Sequence, residues 1–410
     1  MFRRMIGAVV VFGICVGTLS AFEVQAVLKK IDAEERAVVV AAGGKDRTVK
    51  VAKDAKVLDE KGKELPDGLK DKSLKGGVEV TLTVERAGNE PVIRTIQLGK
   101  KADSSPTQGT GKTSVGFKPL TEMMAQEKYQ GEDGGLYGGG ENEPPKAHQA
   151  AARKETSKVV PLDAEGKPSN DGKIVVISIS MSNATQEFSK FKEIADADPQ
   201  KSRLVTIVDC AQGGQAMAQW SDPKARPWEE AERRLASANV TPKQVQVAWI
   251  KLANVGPTGK LSEHGKKLQR DTVAVLQNAK ARFPNLRIAY LGSRIYGGYA
   301  TGRLNPEPYA YESAFVVRWL IQDQIKGVSS LNYDTARGPV KSPLLLWGPY
   351  FWADGLTARK SDNLVWERKD LSGDGTHPST SGRQKVADML LSFFKADANA
   401  KTWFAKPPEK

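Results

Sequence analysis

Cysteine and histidine are scarce in this sequence, with two cysteines and three histidines in 410 residues. Cys15 lies in an N-terminal segment that we expect to be removed, so Cys210 remains alone and no intrachain disulfide is expected. A chain of this length buries enough apolar surface to fold without cross-links. Cys210 ends the apolar run 204–208 and is interpreted as a small buried hydrophobe rather than a nucleophile. No histidine pair or cysteine cluster has metal-ligand spacing, so we expect no metal site and no cofactor.

Long hydrophobic runs are also missing, apart from one near the N-terminus. There, Arg3 and Arg4 precede the apolar run 6–16, and Leu19-Ser20-Ala21 offers a small-residue cleavage site. This order is typical of a secretory signal sequence, and the apolar run is shorter than the ~20 residues that span a bilayer. We therefore predict a signal peptide at 1–21 and a secreted or periplasmic protein with no stable membrane span after cleavage. An uncleaved membrane anchor is the alternative.

Acidic residues are outnumbered, with 48 Asp and Glu against 61 Lys and Arg, which gives a formal net charge of +13. The basic surplus is spread along the chain with acids interleaved, unlike the clustered stripe typical of nucleic-acid binding. We therefore expect no nucleic-acid partner. The charge suits an anionic polysaccharide or another cell-envelope polymer, whereas the oligomeric state leaves no mark in the sequence.

Short β-type runs separated by Gly, Asp and Lys fill the region 22–100. The predicted strands are 24–28, 37–41, 48–51, 78–84 and 92–98. They predict a small all-β domain, an antiparallel barrel or sandwich of about five or six strands. The region has no His, no Cys and no acid pair with a plausible partner, so we interpret it as an accessory or binding domain. The segment 101–125, rich in Ser, Thr, Gly and Lys, is predicted to be a flexible linker.

Strands and helices alternate in the third region, 126–410. The predicted strands are 173–179, 203–210, 244–251, 286–291 and 344–347, and the predicted helices are 185–195, 227–238, 261–283, 311–325 and 379–394. Such alternation is typical of an α/β domain in which helices cover both faces of a parallel sheet. Ligands of such sheets bind outside the carboxyl ends of the strands, so polar residues after the strands are the first candidates for chemistry.

One of the three histidines has a carboxylate at close spacing. His264 lies in the hydrophilic start of a predicted helix, where we expect it to be solvated, and His148 precedes the α/β pattern. His377 follows Asp374 by three residues, a spacing at which the carboxylate accepts a hydrogen bond from one ring nitrogen and raises the basicity of the other. An Asx turn before the last helix is the structural alternative.

A serine loop, Ser180-Met181-Ser182-Asn183, follows the first strand of the α/β pattern. A serine between a strand and a helix lies near outward-pointing backbone N–H groups, whose partial positive charge favours an oxyanion. The alternative is that Ser182 or Asn183 merely caps the next helix.

Together, this serine loop, a glycine pair after the second strand and an Asp-x-x-His before the last helix resemble the SGNH/GDSL hydrolase family. The resemblance implies a three-layer α/β/α domain of the flavodoxin-like type. It also implies Ser182 as the nucleophile, His377 as general base and Asp374 as its orienting acid. The N–H group of Gly214, or of its neighbour Gly213, would join that of Ser182 in the oxyanion hole.

Two sequence blocks depart from the family pattern within the region of resemblance, about 172–395. Family members usually show Gly-Asp-Ser at the nucleophile, whereas this chain has Ser180-Met181-Ser182, which leaves Ser180 as a competing nucleophile. The family has Gly-x-Asn-Asp after the third strand, and its Asn completes the oxyanion hole. Here the candidates for that role are Asn254 and Lys251. The resemblance implies a serine esterase, and a weak or inactive glycan-binding protein on the same fold is the alternative.

Candidate substrate contacts follow the later strands. Arg294 and Tyr296 come after the fourth strand, and Arg294 is placed to hold an acidic substituent unless it pairs with Glu307 or Glu312.

Aromatic residues are concentrated in the loop after the fifth strand, which includes Trp347 and Tyr350. Sugar faces stack on such rings, while packing is their alternative role. The glycine-rich segment 131–140 is either a lid over the site or a surface linker. With the export signal, these features favour a carbohydrate ester or a cell-envelope polymer as substrate.

Overall fold

The computed structural model describes residues 22–42, 45–59, 62–87, 90–98 and 111–406. The chain divides into two compact units, Met1–Thr107 and Gln108–Lys410. The predicted signal peptide at 1–21 lies outside the described residues. Among the residues that are described, no helix is both long and apolar enough to cross a membrane.

The first unit contains a closed barrel. Its strands are β1 Phe22–Asp32, β2 Ala37–Ala42, β3 Lys45–Leu58, β4 Glu79–Ala87 and β5 Glu90–Leu98. They follow the order β1-β2-β3-β5-β4 around the barrel, and each neighbouring pair is antiparallel except β3 with β5. The prediction of an antiparallel barrel is therefore wrong for this one pair. A closed ring with an odd number of strands cannot alternate direction at every step, so a parallel pair is unavoidable.

Alternating apolar residues fill the barrel. On β4, Val80, Leu82 and Val84 are buried, while Thr81 and Thr83 between them are half-buried. The same core includes Leu28, Val38, Val40, Val51, Val57, Ile93 and Ile96. β1 continues beyond its predicted end through two exposed lysines, because an exposed charge interrupts the apolar pattern without interrupting the backbone ladder.

The second unit is an α/β domain. Its strands are β6 Ile174–Ile179, β7 Val205–Val208, β8 Val245–Lys251, β9 Ile288–Gly292 and β10 Leu344–Trp347. Its helices are α1 Lys146–Thr156, α2 Ser182–Ala197, α3 Met217–Trp220, α4 Arg226–Ser237, α5 Lys266–Arg282, α6 Tyr309–Ile325, α7 Thr380–Ala396 and α8 Lys401–Phe404. The strands form one sheet in the order β10-β9-β8-β6-β7, and all neighbours are parallel, which confirms the predicted parallel sheet.

The strand order reverses beside β6. From β6 the chain passes to β7 on one side and then to β8 on the other. In open α/β sheets, the crevice for ligands lies outside the carboxyl ends of the strands at such a reversal. Since β6 ends at Ile179 and α2 begins at Ser182, the topology places Ser182 at this crevice.

Helices α2 and α7 lie side by side and run in the same direction. Near their N-termini, Nδ2 of Asn183 donates to the carbonyl of Thr376 over 2.8 Å. Near their C-termini, Nζ of Lys395 lies 2.8 Å from Oδ2 of Asp198. The loop that precedes α7 is therefore held beside the first residue of α2.

Residues 111–125, which the sequence assigns to a flexible linker, pack within the second unit instead. Leu120 is completely buried. The backbone N–H groups of Val115 and Gly116 donate to the Asp354 carboxylate over 2.7 Å and 3.0 Å. Composition misses this segment because backbone bonds to a distant carboxylate leave no local pattern. The remainder of the predicted linker, 101–110, lies outside the described residues.

The glycine-rich loop 131–140 is anchored to α6. Nη1 of Arg318 donates to the carbonyl of Asp133 over 2.7 Å, and Nε1 of Trp347 donates to the carbonyl of Leu136 over 2.9 Å. These bonds hold the loop against α6 and β10, which lies at the edge of the sheet farther from β6. The loop is thus not a free surface linker, and these bonds hold it beside β10 rather than over Ser182.

A buried ion pair joins α2 to the sheet. Nζ of Lys251, at the end of β8, lies 2.6 Å from both carboxylate oxygens of Glu187, and both side chains are completely buried. Burial lowers the pKa of Lys251 to about 8, although the Glu187 charge opposes this shift. Each charge therefore depends on the other for compensation.

We expect Lys251→Met to lower the free energy of unfolding of the α/β unit by about 3–5 kcal/mol, because it leaves the Glu187 charge buried without a partner. The double variant Lys251→Met/Glu187→Leu should recover most of this loss, since it removes both charges. Urea unfolding of the wild type, both single variants and the double variant measures the coupling. A double variant that is as unstable as the sum of the single variants would contradict the prediction.

Candidate active site

Ser182 is the first residue of α2, and its side chain does not cap that helix. The N-cap residue is Met181, which makes no side-chain capping bond. Oγ of Ser182 instead donates to Nε2 of His377 over 2.8 Å. The partial positive charge at the N-terminus of α2 lies at the same point. The helix-cap interpretation of Ser182 is therefore wrong.

Ser180 occupies the position of the glycine in the Gly-Asp-Ser pattern with which the sequence was compared. Its φ is +156°, a backbone conformation that favours glycine. The side chain is completely buried, and Oγ donates to the carbonyl of Lys251 over 2.5 Å. This bond holds the carboxyl ends of β6 and β8 together. It also removes Ser180 as a competing nucleophile, because its hydroxyl is both occupied and inaccessible.

Asp374 and His377 form a hydrogen-bonded pair in the loop before α7. Nδ1 of His377 donates to Oδ2 of Asp374 over 2.5 Å, while Oδ1 accepts the backbone N–H groups of Thr376 and His377, each over 3.0 Å. Partial burial raises the pKa of Asp374, but these hydrogen bonds outweigh it and lower the pKa to about 2. With Nδ1 protonated, Nε2 is free to accept the Ser182 proton.

Glycine is required at position 375 of this loop. Gly375 has φ +64°, and a Cβ atom there would lie 1.7 Å from the carbonyl oxygen of Tyr299. The neighbouring segment also contacts the loop, since the N–H of Thr301 donates to the carbonyl of Asp374 over 3.0 Å. The residues after β9 therefore form one wall of the loop that carries the pair.

Asp209, at the end of β7, connects α2 to the glycine loop 211–216, and sequence reasoning missed it. Its carboxylate accepts hydrogen bonds from Ser178 over 2.5 Å, from Ser189 over 2.6 Å and from Thr185. Oγ of Ser178 in turn accepts the N–H groups of Cys210 and Ala211, each over 3.0 Å. Burial raises the pKa of Asp209, while the hydroxyl donors lower it.

The glycine loop itself lies beside the carboxyl end of β6. The N–H of Gln212 donates to the carbonyl of Ser180 over 2.9 Å. Gly214 has φ +75°, and a Cβ added at Gly213 or Gly214 would meet no atom within 4 Å. Within the described part of the chain, neither glycine N–H donates a hydrogen bond to a protein acceptor. These N–H groups are therefore available to a ligand.

The side chain of Asn254 bonds to other parts of the protein and is not free to serve as the oxyanion donor that the resemblance implied. Nδ2 donates to Asp271 over 2.6 Å, and Oδ1 accepts the N–H of Ala218 over 2.9 Å. The side chain thus connects the loop after β8 to α3 and α5. Lys251, the second candidate, is held by Glu187 in the buried ion pair. Neither side chain is placed as a free oxyanion donor.

The predicted aromatic contacts are packing residues. Tyr296, Trp347 and Tyr350 are all buried. The hydroxyl of Tyr296 donates to the carbonyl of Lys112 over 2.6 Å, and the hydroxyl of Tyr350 accepts the N–H of Leu120 over 3.1 Å. None of them offers a ring face for sugar stacking. Arg294 is also buried, yet it pairs with neither Glu307 nor Glu312 among the described residues.

The remaining histidines are structural. Nε2 of His148 lies 3.0 Å from the carbonyl of Leu345. His264 is buried against Glu312, so the expectation of a solvated helix residue is wrong. Contacts with α6 account for the burial, since the ring bonds to Glu312 and packs edge-on against Tyr309. Within the described residues, no group of three or more His, Cys, Asp or Glu side chains is placed to hold a metal ion.

The similarities to known proteins come from solved structures. No family model matches the chain, and no curated protein matches it. A proposed acylhydrolase from Bacteroides fragilis, 12% identical, matches 64% of this chain and 100% of its own with a TM-score of 0.32. The periplasmic domain of a lipopolysaccharide acetyltransferase from Salmonella ser. Paratyphi A, 12% identical, matches 61% of this chain and 95% of its own with a TM-score of 0.29. CusF from Escherichia coli, 12% identical, matches 22% of this chain and 99% of its own with a TM-score of 0.17. At these TM-scores the similarities carry no argument about chemistry.

We expect Asp209→Ala to lower the free energy of unfolding by about 2–4 kcal/mol, because three side-chain hydrogen bonds at about 1 kcal/mol each are lost. Hydrogen exchange at the Cys210 and Ala211 amides should accelerate, since Ser178 loses its fixed orientation. Asp209→Asn is the matched control, because the hydroxyls can rotate to suit an amide. Unchanged exchange in the alanine variant would contradict the connecting role of Asp209.

Proposed function

We propose that the second unit is a serine esterase of the SGNH/GDSL type. The observation that carries the proposal is the continuous hydrogen-bonded chain from Ser182 through His377 to Asp374, with 2.8 Å and 2.5 Å between successive partners. It lies where the strand order reverses and beside unbonded glycine N–H groups. A nucleophile, an oriented base and oxyanion donors are the parts that acyl transfer requires. A three-layer, flavodoxin-like domain belongs to this proposal, supported by the strand order.

The proposed reaction proceeds through an acyl-enzyme. Nε2 of His377 removes the Ser182 proton as Oγ attacks the ester carbonyl, and Asp374 stabilises the imidazolium that forms. The N–H groups of Ser182 and Gly214, or of Gly213, receive the oxyanion. The imidazolium then protonates the departing alcohol, and a water molecule activated by His377 hydrolyses the acyl-enzyme.

The oxyanion hole relies on backbone donors in this proposal, because Asn254 is bonded to Asp271 and Ala218. Loss of one oxyanion donor costs about 100- to 1,000-fold in rate. We therefore expect a slow esterase. The same feature favours a second candidate function, a catalytically weak or inactive glycan-binding protein on this fold.

The cellular setting is proposed from the sequence. A signal peptide at 1–21 would export the protein to the periplasm or beyond, where a carbohydrate ester or cell-envelope polymer is the accessible substrate. The barrel would act as an accessory domain at 22–100, followed by a linker and the hydrolase domain. No cofactor and no nucleic-acid partner enter this proposal.

We expect Ser182→Ala to fold normally and to lose hydrolysis of an aryl acetate by about 10,000-fold or more, since the nucleophile is absent. A fluorophosphonate probe should label the wild type at Ser182. Ser180→Gly is the matched control, because it removes the competing hydroxyl and suits the positive φ, so it should retain labelling and turnover. Equal hydrolysis by wild type and Ser182→Ala would refute the esterase, and glycan binding without turnover would favour the second candidate.

We expect Asp374→Asn to lower kcat by about 1,000- to 10,000-fold with little change in KM, because the amide no longer favours the reactive His377 tautomer. Steady-state kinetics with the same aryl ester measure kcat and KM separately.

Acid unfolding checks the electrostatics of the same variant. The folded-state pKa of Asp374, about 2, lies below the ordinary value of 3.8 for an aspartate. The stabilisation it provides is therefore present above about pH 4 and is lost as pH falls towards about 2. The melting temperature of Asp374→Asn should fall less steeply over this range than that of the wild type. Parallel curves would contradict the depressed pKa.

A further inference from the structure

The guanidinium of Arg294 is buried and has no hydrogen-bond partner among the residues that the structure describes. The residue is 3% exposed. Its Nε is completely buried and unbonded, and its terminal nitrogens donate no hydrogen bond to any residue that the structure describes. Buried polar groups nearly always have a hydrogen-bond partner, and an unpaired buried charge is costly. An arginine kept in this state calls for a ligand that completes its hydrogen bonds.

Two other buried arginines of the same unit differ from Arg294 at their terminal nitrogens, although Nε of Arg318 is also buried and unbonded. Nη2 of Arg318 lies 2.5 Å from Glu132, and its Nη1 donates to backbone carbonyl oxygens. Nη2 of Arg359 lies 2.5 Å from Asp362, and its Nη1 likewise donates to backbone carbonyl oxygens. In this fold, an arginine that serves packing uses both terminal nitrogens on the protein. Arg294 does not, which sets it apart from the structural arginines.

Arg294 belongs to the same edge of the sheet as the nucleophile. It lies two residues beyond β9, and only β8 separates β9 from β6, a lateral distance of about 10 Å at the usual strand spacing. The chain then continues to Thr301, whose N–H bonds to the carbonyl of Asp374. Asp374 is also among the charges that act on the guanidinium. Arg294 thus belongs to the sheet edge that carries Ser182 and lies within electrostatic reach of Asp374.

Each acid near Arg294 already has another hydrogen-bond partner. Burial lowers the pKa of Arg294, whereas Glu187, Glu307 and Asp374 raise it through their charges. Glu187 is paired with Lys251, and Asp374 accepts from the histidine of the site.

Glu307 is the remaining acid in range. It accepts hydrogen bonds from the N–H groups of Gly297 and Tyr311 and from Nε1 of Trp352. Burial raises its pKa to about 7, although these bonds oppose the shift, so it is only partly ionised at neutral pH. No full negative charge is therefore dedicated to Arg294.

We propose that Arg294 binds a carboxylate of the ester substrate, which makes an acylated acidic sugar, a uronate, the preferred substrate class. The inference rests on the proposed esterase function. A guanidinium matches a carboxylate through two parallel hydrogen bonds. A phosphate dianion suits the position less well, because three carboxylates already act on it. The anionic group would fix the sugar beside Ser182 without taking part in bond breaking.

The test uses two substrates that differ in one charge, an acetylated uronic-acid glycoside and its methyl ester, and the reaction measured is release of acetate from each. We expect the wild type to show kcat/KM about 10- to 100-fold higher for the free acid, mainly through KM. Arg294→Met should remove this preference while changing kcat/KM for the methyl ester by less than about threefold. Arg294→Lys should retain part of it, since the charge remains but the paired geometry is lost. Arg303→Met, at an exposed arginine, is the control and should behave as wild type.

Binding without turnover separates this inference from the esterase itself. In the Ser182→Ala background, calorimetry should give tighter binding of the free acid than of the methyl ester, and the difference should vanish when Arg294→Met is added. If neither ester is hydrolysed but this difference is seen, the proposed function fails and the Arg294 site stands. Equal affinities, or an equal loss for both substrates in Arg294→Met, would overturn the carboxylate site. Preference for an acetylated sugar phosphate over the uronate would also overturn it.

Discussion

The parallel packing of α2 on α7 is the constraint on which the site depends. One helix begins with Ser182, and the other is preceded by His377, so the separation of these two side chains follows from how the two helices align. Hydrogen bonds at both ends of the pair and the stacking of Phe191 on Phe394, with 5.3 Å between ring centroids, prevent the helices from sliding. A slip of one turn would move the serine by about 5.4 Å and break its bond to the histidine.

Beneath the site lies a layer of buried charge that connects the strands to the helices. Glu187 and Lys251 neutralise each other, Glu307 is partly protonated, and the Arg294 side chain has no hydrogen-bond partner within the described part of the chain. Such a layer is expensive to bury, and proteins retain unsatisfied groups of this kind mainly at functional sites. The layer lies at the carboxyl ends of β8 and β9, next to β6. The unfavourable burial of charge is therefore located at the crevice and not in the distant core.

Much of the α/β fold could be predicted from the sequence, because its buried parallel strands are continuous apolar runs that need no distant information. The pairing of Ser182 with His377 also followed from the order of the motifs. The partners of Asn254 could not be predicted, since Asp271 and Ala218 come from helices remote in the chain. Aromatic residues such as Tyr296 were misjudged for the same reason. A ring in a loop is exposed or buried according to which segment covers it, and here the covering segment had the composition of a linker.

The closed barrel has a consequence for recognition. Its strand order returns from β4 to β1, so every strand has a neighbour on both sides. A closed ring has no edge strand, which disfavours a partner that would join the sheet by adding a strand of its own. We therefore expect side chains and loops to hold whatever this unit recognises. Its selectivity is then free to change by surface substitution, while the hydrogen-bonded ring that keeps the barrel folded remains untouched.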